Sequence, residues 1–107
     1  AAAEIARTAR LNLEAVQILE KNHLKMRVWE RGSGATLACG TGACAVAAAA
    51  VLTGRCPRGA PILVQLPGGT LEVCVQRDDT VLLTGDAAAT FSGTVLIQPC
   101  KAPRGVV

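Results

Sequence analysis

Between residues 24 and 29 apolar and basic side chains alternate, with Leu24, Met26 and Val28 set against Lys25 and Arg27. A period of two marks a strand with one buried face. The apolar-rich run at residues 12–19, joined to it by the turn-like Glu20-Lys21-Asn22-His23, predicts a strand pair. A glycine-rich loop is expected over residues 30–38. From about Gly40 to Thr53 the alternation is lost and alanine dominates, which predicts a helix stopped by Gly54 and Pro57. Further strands are expected at residues 62–66, 70–76, 80–84 and 93–98. The first and second of these are separated by Pro67-Gly68-Gly69, the second and third by Arg77-Asp78-Asp79. Residues 1–11 read as an N-terminal extension or helix, residues 12–98 as the folded unit, and residues 99–107 as a disordered tail.

The helix sets a constraint on the whole. No charged residue occurs between Gly40 and Thr53, so the helix has no solvent face and is expected to be buried on all sides. A sheet wrapped around a helix at ~10 Å has a circumference near ~60 Å, which takes on the order of a dozen strands spaced ~4.8 Å apart. The chain supplies five or six. The fold class that follows is α+β: a mixed, curved β-sheet partly wrapping one central Ala-rich helix. Another chain or a missing segment is expected to cover the remainder.

Composition narrows the function classes. The chain has 107 residues, enough for one domain, with one Phe, one Trp and no Tyr. Its net charge of +3 is dispersed, without basic runs or aromatic interleaving, which argues against nucleic acid as a partner. No apolar stretch approaches the ~18 residues of a membrane span, and the first residues lack the layout of a secretory signal. Five cysteines at irregular spacing argue against a disulfide framework and for a reducing compartment.

The chemistry concentrates where the glycine loop meets the helix. Cys39 stands at the helix entrance, where the positive end of the helix dipole favours thiolate over thiol. The amides of Gly40, Thr41 and Gly42 are free to hold an anion. A basic sulfur beside a carboxylate-sized anion site suits proton abstraction next to a carboxylate, provided the sulfur is ionisable and reachable from solvent. Cys44, inside the helix among alanines, reads as core packing, and Cys56, Cys74 and Cys100 carry no local chemistry. No metal is expected, because the cysteines lack paired spacing and His23 is alone. Gly40-Thr41-Gly42-Ala43-Cys44-Ala45 matches the loose dinucleotide pattern but lacks the preceding buried strand and the later acid. Glu30 and Arg31 fit an ordinary exposed pair at a strand end as well as a functional one, and Asn12 fits a strand-edge or turn residue.

The run Glu30-Arg31-Gly32-Ser33-Gly34-Ala35-Thr36-Leu37-Ala38-Cys39-Gly40-Thr41-Gly42-Ala43-Cys44-Ala45 closely resembles the C-terminal signature of diaminopimelate epimerases. Asn12-Leu13-Glu14 through Gln17 is similar to that family's Thr-Asn-x-Glu-Phe-x-Gln strand. Leu66-Pro67-Gly68-Gly69 and Leu83-Thr84-Gly85 resemble later landmarks in the same order. Cys-Gly-Thr-Gly alone is less specific, since proline racemases of the same fold share it. The resemblance spans roughly residues 12–97 and makes residues 12–98 a partial C-terminal domain. It implies a cofactor-independent epimerase interconverting LL- and meso-diaminopimelate in lysine biosynthesis. In that family two cysteines face each other across the substrate α-carbon, one from each half. Cys39 matches the C-terminal one. By the same match Gly40 and Thr41 hold the reacting carboxylate, Glu30 an ammonium group, and Arg31 with Asn12 the far carboxylate. The implied partners are a small diamino-dicarboxylate substrate and the missing N-terminal half or another protein chain.

Two positions depart from the family pattern. Ala35 stands where many members have glutamate, a version that resembles the plant and algal branch. It implies the plastid stroma in a plant or alga and the cytoplasm otherwise. Asp86 stands where proline is usual. The N-terminal half, with the second cysteine, has no counterpart here, so this chain alone is expected to be inactive. The alternative is a catalytically inactive epimerase-like module acting as a structural or interaction subunit. A symmetric homodimer is a third arrangement, disfavoured because strands of this half are missing too.

Overall fold

The computed structural model describes residues 4, 5, 8 and 10–100. Six strands and one long helix follow in the order β1 (Leu13–Glu20), β2 (His23–Glu30), β3 (Gly34–Thr36), α1 (Gly40–Leu52), β4 (Ile62–Leu66), β5 (Gly69–Val75) and β6 (Val81–Thr84). They form one mixed sheet of order β1-β2-β4-β5-β6, with β3 on β2 alone. The α+β class and the curved, mixed sheet agree with the sequence expectation. In the N-terminal segment the described residues 4, 5 and 8 are helical, and the Thr8 hydroxyl donates to the Glu4 carbonyl at 2.6 Å. The tail expected at residues 99–107 lies outside the described residues from 101 onward.

Alternation explains the core. Leu24, Met26 and Val28 of β2, Ile62, Val64 and Leu66 of β4, and Val73 and Val75 of β5 are buried on one sheet face. They meet Ala43, Val46, Ala47 and Ala50 of α1 in a single cluster. Each fully buried aliphatic of this kind contributes about 1.5–3 kcal/mol through surface removed from water. Alanine on the helix keeps its backbone close to the sheet, so a thin layer suffices to fill the space.

β2 and β4 are parallel, with α1 in the connection between them. Parallel neighbours need such a crossover, because no tight turn can join them. One edge of β2 carries β1 along its length; the other is shared. His23, Leu24 and Lys25 pair with β4, whereas Val28, Trp29 and Glu30 pair with β3. The loop expected over residues 30–38 is therefore corrected: its second half is a three-residue strand. Gly32 and Gly34, both with positive φ, fold the chain back onto β2.

The helix ends as its sequence predicts. Thr53 is the C-cap, Gly54 takes φ +75°, and the amides of Arg55 and Cys56 both donate to the Ala50 carbonyl at 2.8 and 3.1 Å. The sheet covers one side of the helix. Thr41, Ala45, Ala49 and Leu52 form an exposed stripe along the other, with Leu52 74% exposed. Burial on all sides thus does not hold for the chain by itself. Between this stripe and the inward face of β1 runs a groove of about 460 Å³ lined by Val16, Ile18, Ala45 and Ala49, with Glu14 and Arg55 also on its wall.

Residues 93–98 are not a strand. They make no sheet pairing, and Val95, Leu96 and Ile97 are 80–97% exposed. The apolar run is present in the sequence, but it pairs with neither of the free sheet edges, on β1 and β6.

Candidate active site

The topology gathers the singled-out motifs at one end of the sheet. β1 begins there and β2 ends there, because the two are antiparallel with Leu13 opposite Trp29. β4 runs parallel to β2 and ends there at Leu66, β5 begins at Gly69, and β6 ends at Thr84 opposite Glu72. Asn12, Glu30-Arg31, Leu66-Pro67-Gly68-Gly69 and Leu83-Thr84-Gly85, far apart in sequence, therefore share an end. The helix N-terminus joins them: a Cβ added at Gly40 would lie 3.1 Å from Leu83 Cδ2.

Cys39 is the N-cap of α1, with extended backbone at φ −153° and ψ 107°. Its Sγ accepts the Gly42 N–H at 3.3 Å and lies 3.5 Å from Thr41 Oγ1. One of the four unpartnered donors of a helix start is thereby satisfied by sulfur, in the place where serine or aspartate commonly serves. Among the described residues the Gly40 and Thr41 amides donate to no protein acceptor, so two N–H groups at the positive end of α1 stand beside the thiol. Cys39 retains only 9% of its surface. Capping folds the side chain over the first turn and places it at the rim of the core, with a small part of the residue's surface left open.

Asn12 and Arg31 are brought together. The Arg31 backbone N–H donates to Asn12 Oδ1 at 2.7 Å, tying the start of β1 to the turn after β2. This bond fixes the amide so that the Asn12 NH₂, a donor, is left for another partner. Arg31 is exposed, and Glu30, the last residue of β2, is half-buried. The Glu30 carbonyl accepts Ser33 N–H at 3.2 Å, which closes the turn that displays Arg31. The single ion pair among the described residues joins Arg58 to Asp79, away from this end.

Glu14 belongs to the same site, and sequence reasoning gave it no role. A Cβ placed on Gly42 would stand 3.0 Å from Glu14 Oε1 and 3.1 Å from Cys39 Sγ, so the carboxylate hangs over the first helical turn. The first turn of α1 contains no acid of its own, and Glu14 supplies negative charge to it from β1. The signal was available: strand alternation puts Glu14 on the face of Val16 and Ile18, which makes it an acid among inward-facing residues. The other cysteines are set apart from the site chemistry. All five are free, and burial pushes the Cys44 and Cys56 thiols up.

An anchored thiol, two free helix-start amides, a carboxylate and a guanidinium suit a small substrate carrying both positive and negative groups. Comparison with known proteins bears on this arrangement. The family model for diaminopimelate epimerase matches residues 3–90. The chain is 57% identical over 89 residues to the chloroplastic diaminopimelate epimerase of Oryza sativa subsp. japonica, an alignment covering 82% of this chain and 25% of the rice protein. It is 55% identical over 86 residues to the diaminopimelate epimerase of Synechococcus elongatus, covering 80% of this chain and 30% of that protein. The chain thus spans between a quarter and a third of the length of these relatives. With most of its length matched, and with the matched motifs meeting at one end of one sheet, the chain belongs to the diaminopimelate epimerase family.

Proposed function

We propose that this chain is the Cys39-bearing portion of a diaminopimelate epimerase, which interconverts LL- and meso-diaminopimelate without a cofactor when completed by the remainder of the enzyme. The observation that carries the reading is Cys39 capping α1 beside the free amides of Gly40 and Thr41.

In this mechanism the Cys39 thiolate removes the substrate α-proton, and the C–H electron pair moves toward the adjacent carboxylate. A thiol on the opposite face, from the portion of the enzyme outside this chain, returns a proton to the α-carbon. Configuration inverts; Cys39 ends as thiol and its counterpart as thiolate, so protons balance. In the reverse direction the roles exchange. The Gly40 and Thr41 amides hold the reacting carboxylate and stabilise charge that develops there. Glu30 binds the ammonium group. Arg31, through a guanidinium suited to two-point contact, and the Asn12 NH₂ bind the far carboxylate. Low exposure shields the sulfur from bulk water, which strengthens these interactions.

On this reading the chain alone lacks the acid for one face and does not turn over. The groove between β1 and α1 supports a partner: the remainder of the enzyme, or another protein chain, covers the apolar stripe that the sheet leaves open. The chloroplastic relative supports the plastid stroma as the location in a plant or alga. The test is a chimera in which this chain replaces the matching segment of the rice enzyme. Interconversion of LL- and meso-diaminopimelate is expected with the chimera and absent with Cys39→Ala. A chimera indifferent to Cys39→Ala would refute the assignment. Turnover by the unassisted 107-residue chain would refute its incompleteness.

A further inference from the structure

We propose that the turn between β4 and β5 sets the position of Cys39, with Gly68 as the positioning residue. Residues 37–39 bridge β3 and α1 without secondary structure. Leu37 does not anchor this bridge by burial, since its side chain is 70% exposed. What holds it is the Gly68 N–H, which donates to the Leu37 carbonyl at 2.8 Å. Among the described residues no other backbone hydrogen bond ties Leu37 or Ala38 to a separate element.

The contact is tight as well as bonded. A Cβ on Gly68 would stand 2.9 Å from Leu37 O, 3.1 Å from Leu37 Cβ and 3.3 Å from Leu37 C. Two of these three atoms are backbone and cannot rotate aside. Gly68 and its neighbour serve different needs. Gly69 has φ +148° with nothing within 4 Å, so conformation demands glycine there; at Gly68 the demand is space. The cause lies in the topology. β3 and β4 share one edge of β2, so where β4 ends at Leu66 its turn runs into the chain leaving β3.

Cys39 is thereby held from two sides. Downstream, Gly42 N–H fixes the sulfur; upstream, Gly68 fixes the chain two residues before it. Any side chain at position 68 pushes the Leu37 carbonyl away and carries Cys39 off the Gly42 amide. Site geometry tolerates little such displacement. The importance of this hold rests on Cys39 being the working thiol, but its test needs no turnover.

The test is residue-resolved amide exchange by NMR on the full chain. In Gly68→Ala the Gly42 amide is expected to exchange about tenfold faster, while Val46 and Ala47 in mid-helix are unchanged. Gly54→Ala, strained at the far end of α1, serves as a control that lowers stability without touching the bridge. An unchanged Gly42 amide, or one that accelerates in step with Val46 and Ala47, overturns the proposal. Should Gly68→Ala fail to fold, native-state exchange of the unsubstituted chain in low urea decides: Gly68 and Gly42 opening together supports it, and Gly42 opening independently of Gly68 overturns it. A Cys39→Ala chimera that still turned over would remove the catalytic reading and leave the exchange result standing.

Discussion

Cys39 caps a helix and offers a sulfur from the same atom, and the two roles separate by substitution. Serine keeps a capping acceptor, so Cys39→Ser is expected to hold stability within about 0.5 kcal/mol, whereas Cys39→Ala loses about 1 kcal/mol. Both are expected to abolish interconversion of LL- and meso-diaminopimelate by the rice chimera. Urea unfolding beside the epimerisation assay checks the split; activity in the serine variant would remove the thiol from the mechanism. Elsewhere burial raises the Cys44 and Cys56 thiols above their ordinary value of 9.0. Iodoacetamide at pH 8 should therefore modify exposed Cys100 well before Cys56, read by peptide mass. A folded-state value above the unfolded one stabilises the fold below pH 9.0, and this contribution is lost as pH rises through the raised values.

Elements are decided by alternation and by turns. In β4, Ile62 is fully buried and Leu63 is 40% exposed, one residue apart on opposite faces. Ile62→Ala is expected to cost about 2–5 kcal/mol and Leu63→Ala less than about 1 kcal/mol in urea unfolding. Equal costs would mean the register is wrong. The turn between β5 and β6 carries a pH signature. The Thr80 N–H donates to Asp78 Oδ1 at 3.0 Å and holds that carboxyl below its ordinary value of 3.8. The contribution is present above the unfolded value and lost as pH falls through the lower folded one. Asp78→Asn should flatten the acid limb of stability between pH 5 and pH 2. An unchanged acid limb would show that the turn does not bind the ionised form preferentially.

At the scale of the whole molecule, the described residues enclose α1 on one side only. The sheet buries one side of α1 and leaves Ala45 and Ala49 facing a groove that Val16 and Ile18 also line. Apolar surface left in this way favours association. The chain is expected to enhance the fluorescence of anilinonaphthalene sulfonate, and the N-terminal portion of the rice enzyme is expected to quench that signal on mixing while raising the midpoint of thermal unfolding. Dye binding that persists in the mixture would mean that the groove is not the covered surface.

The sequence determined whatever depends on neighbours along the chain. Residues 24–28 alternate, so β2 and its buried face were legible; residues 40–53 lack charge and are rich in alanine, so α1 was legible; Gly54 marked where the helix stops. The family signature marked Cys39, Asn12, Glu30 and Arg31 as candidates. Tertiary structure decided what depends on elements meeting. A three-residue strand is too short to show a period, so β3 was hidden until β2 offered it half an edge. Residues 93–98 have the composition of a strand but no partner, and a strand exists only by pairing. Glu14 became a neighbour of Cys39 only when β1 lay against α1, and Gly68 acquired its role only when β3 and β4 were forced along one edge. Local periodicity is written in the order of residues, whereas contacts between distant segments arise from the packing that buries their apolar faces together.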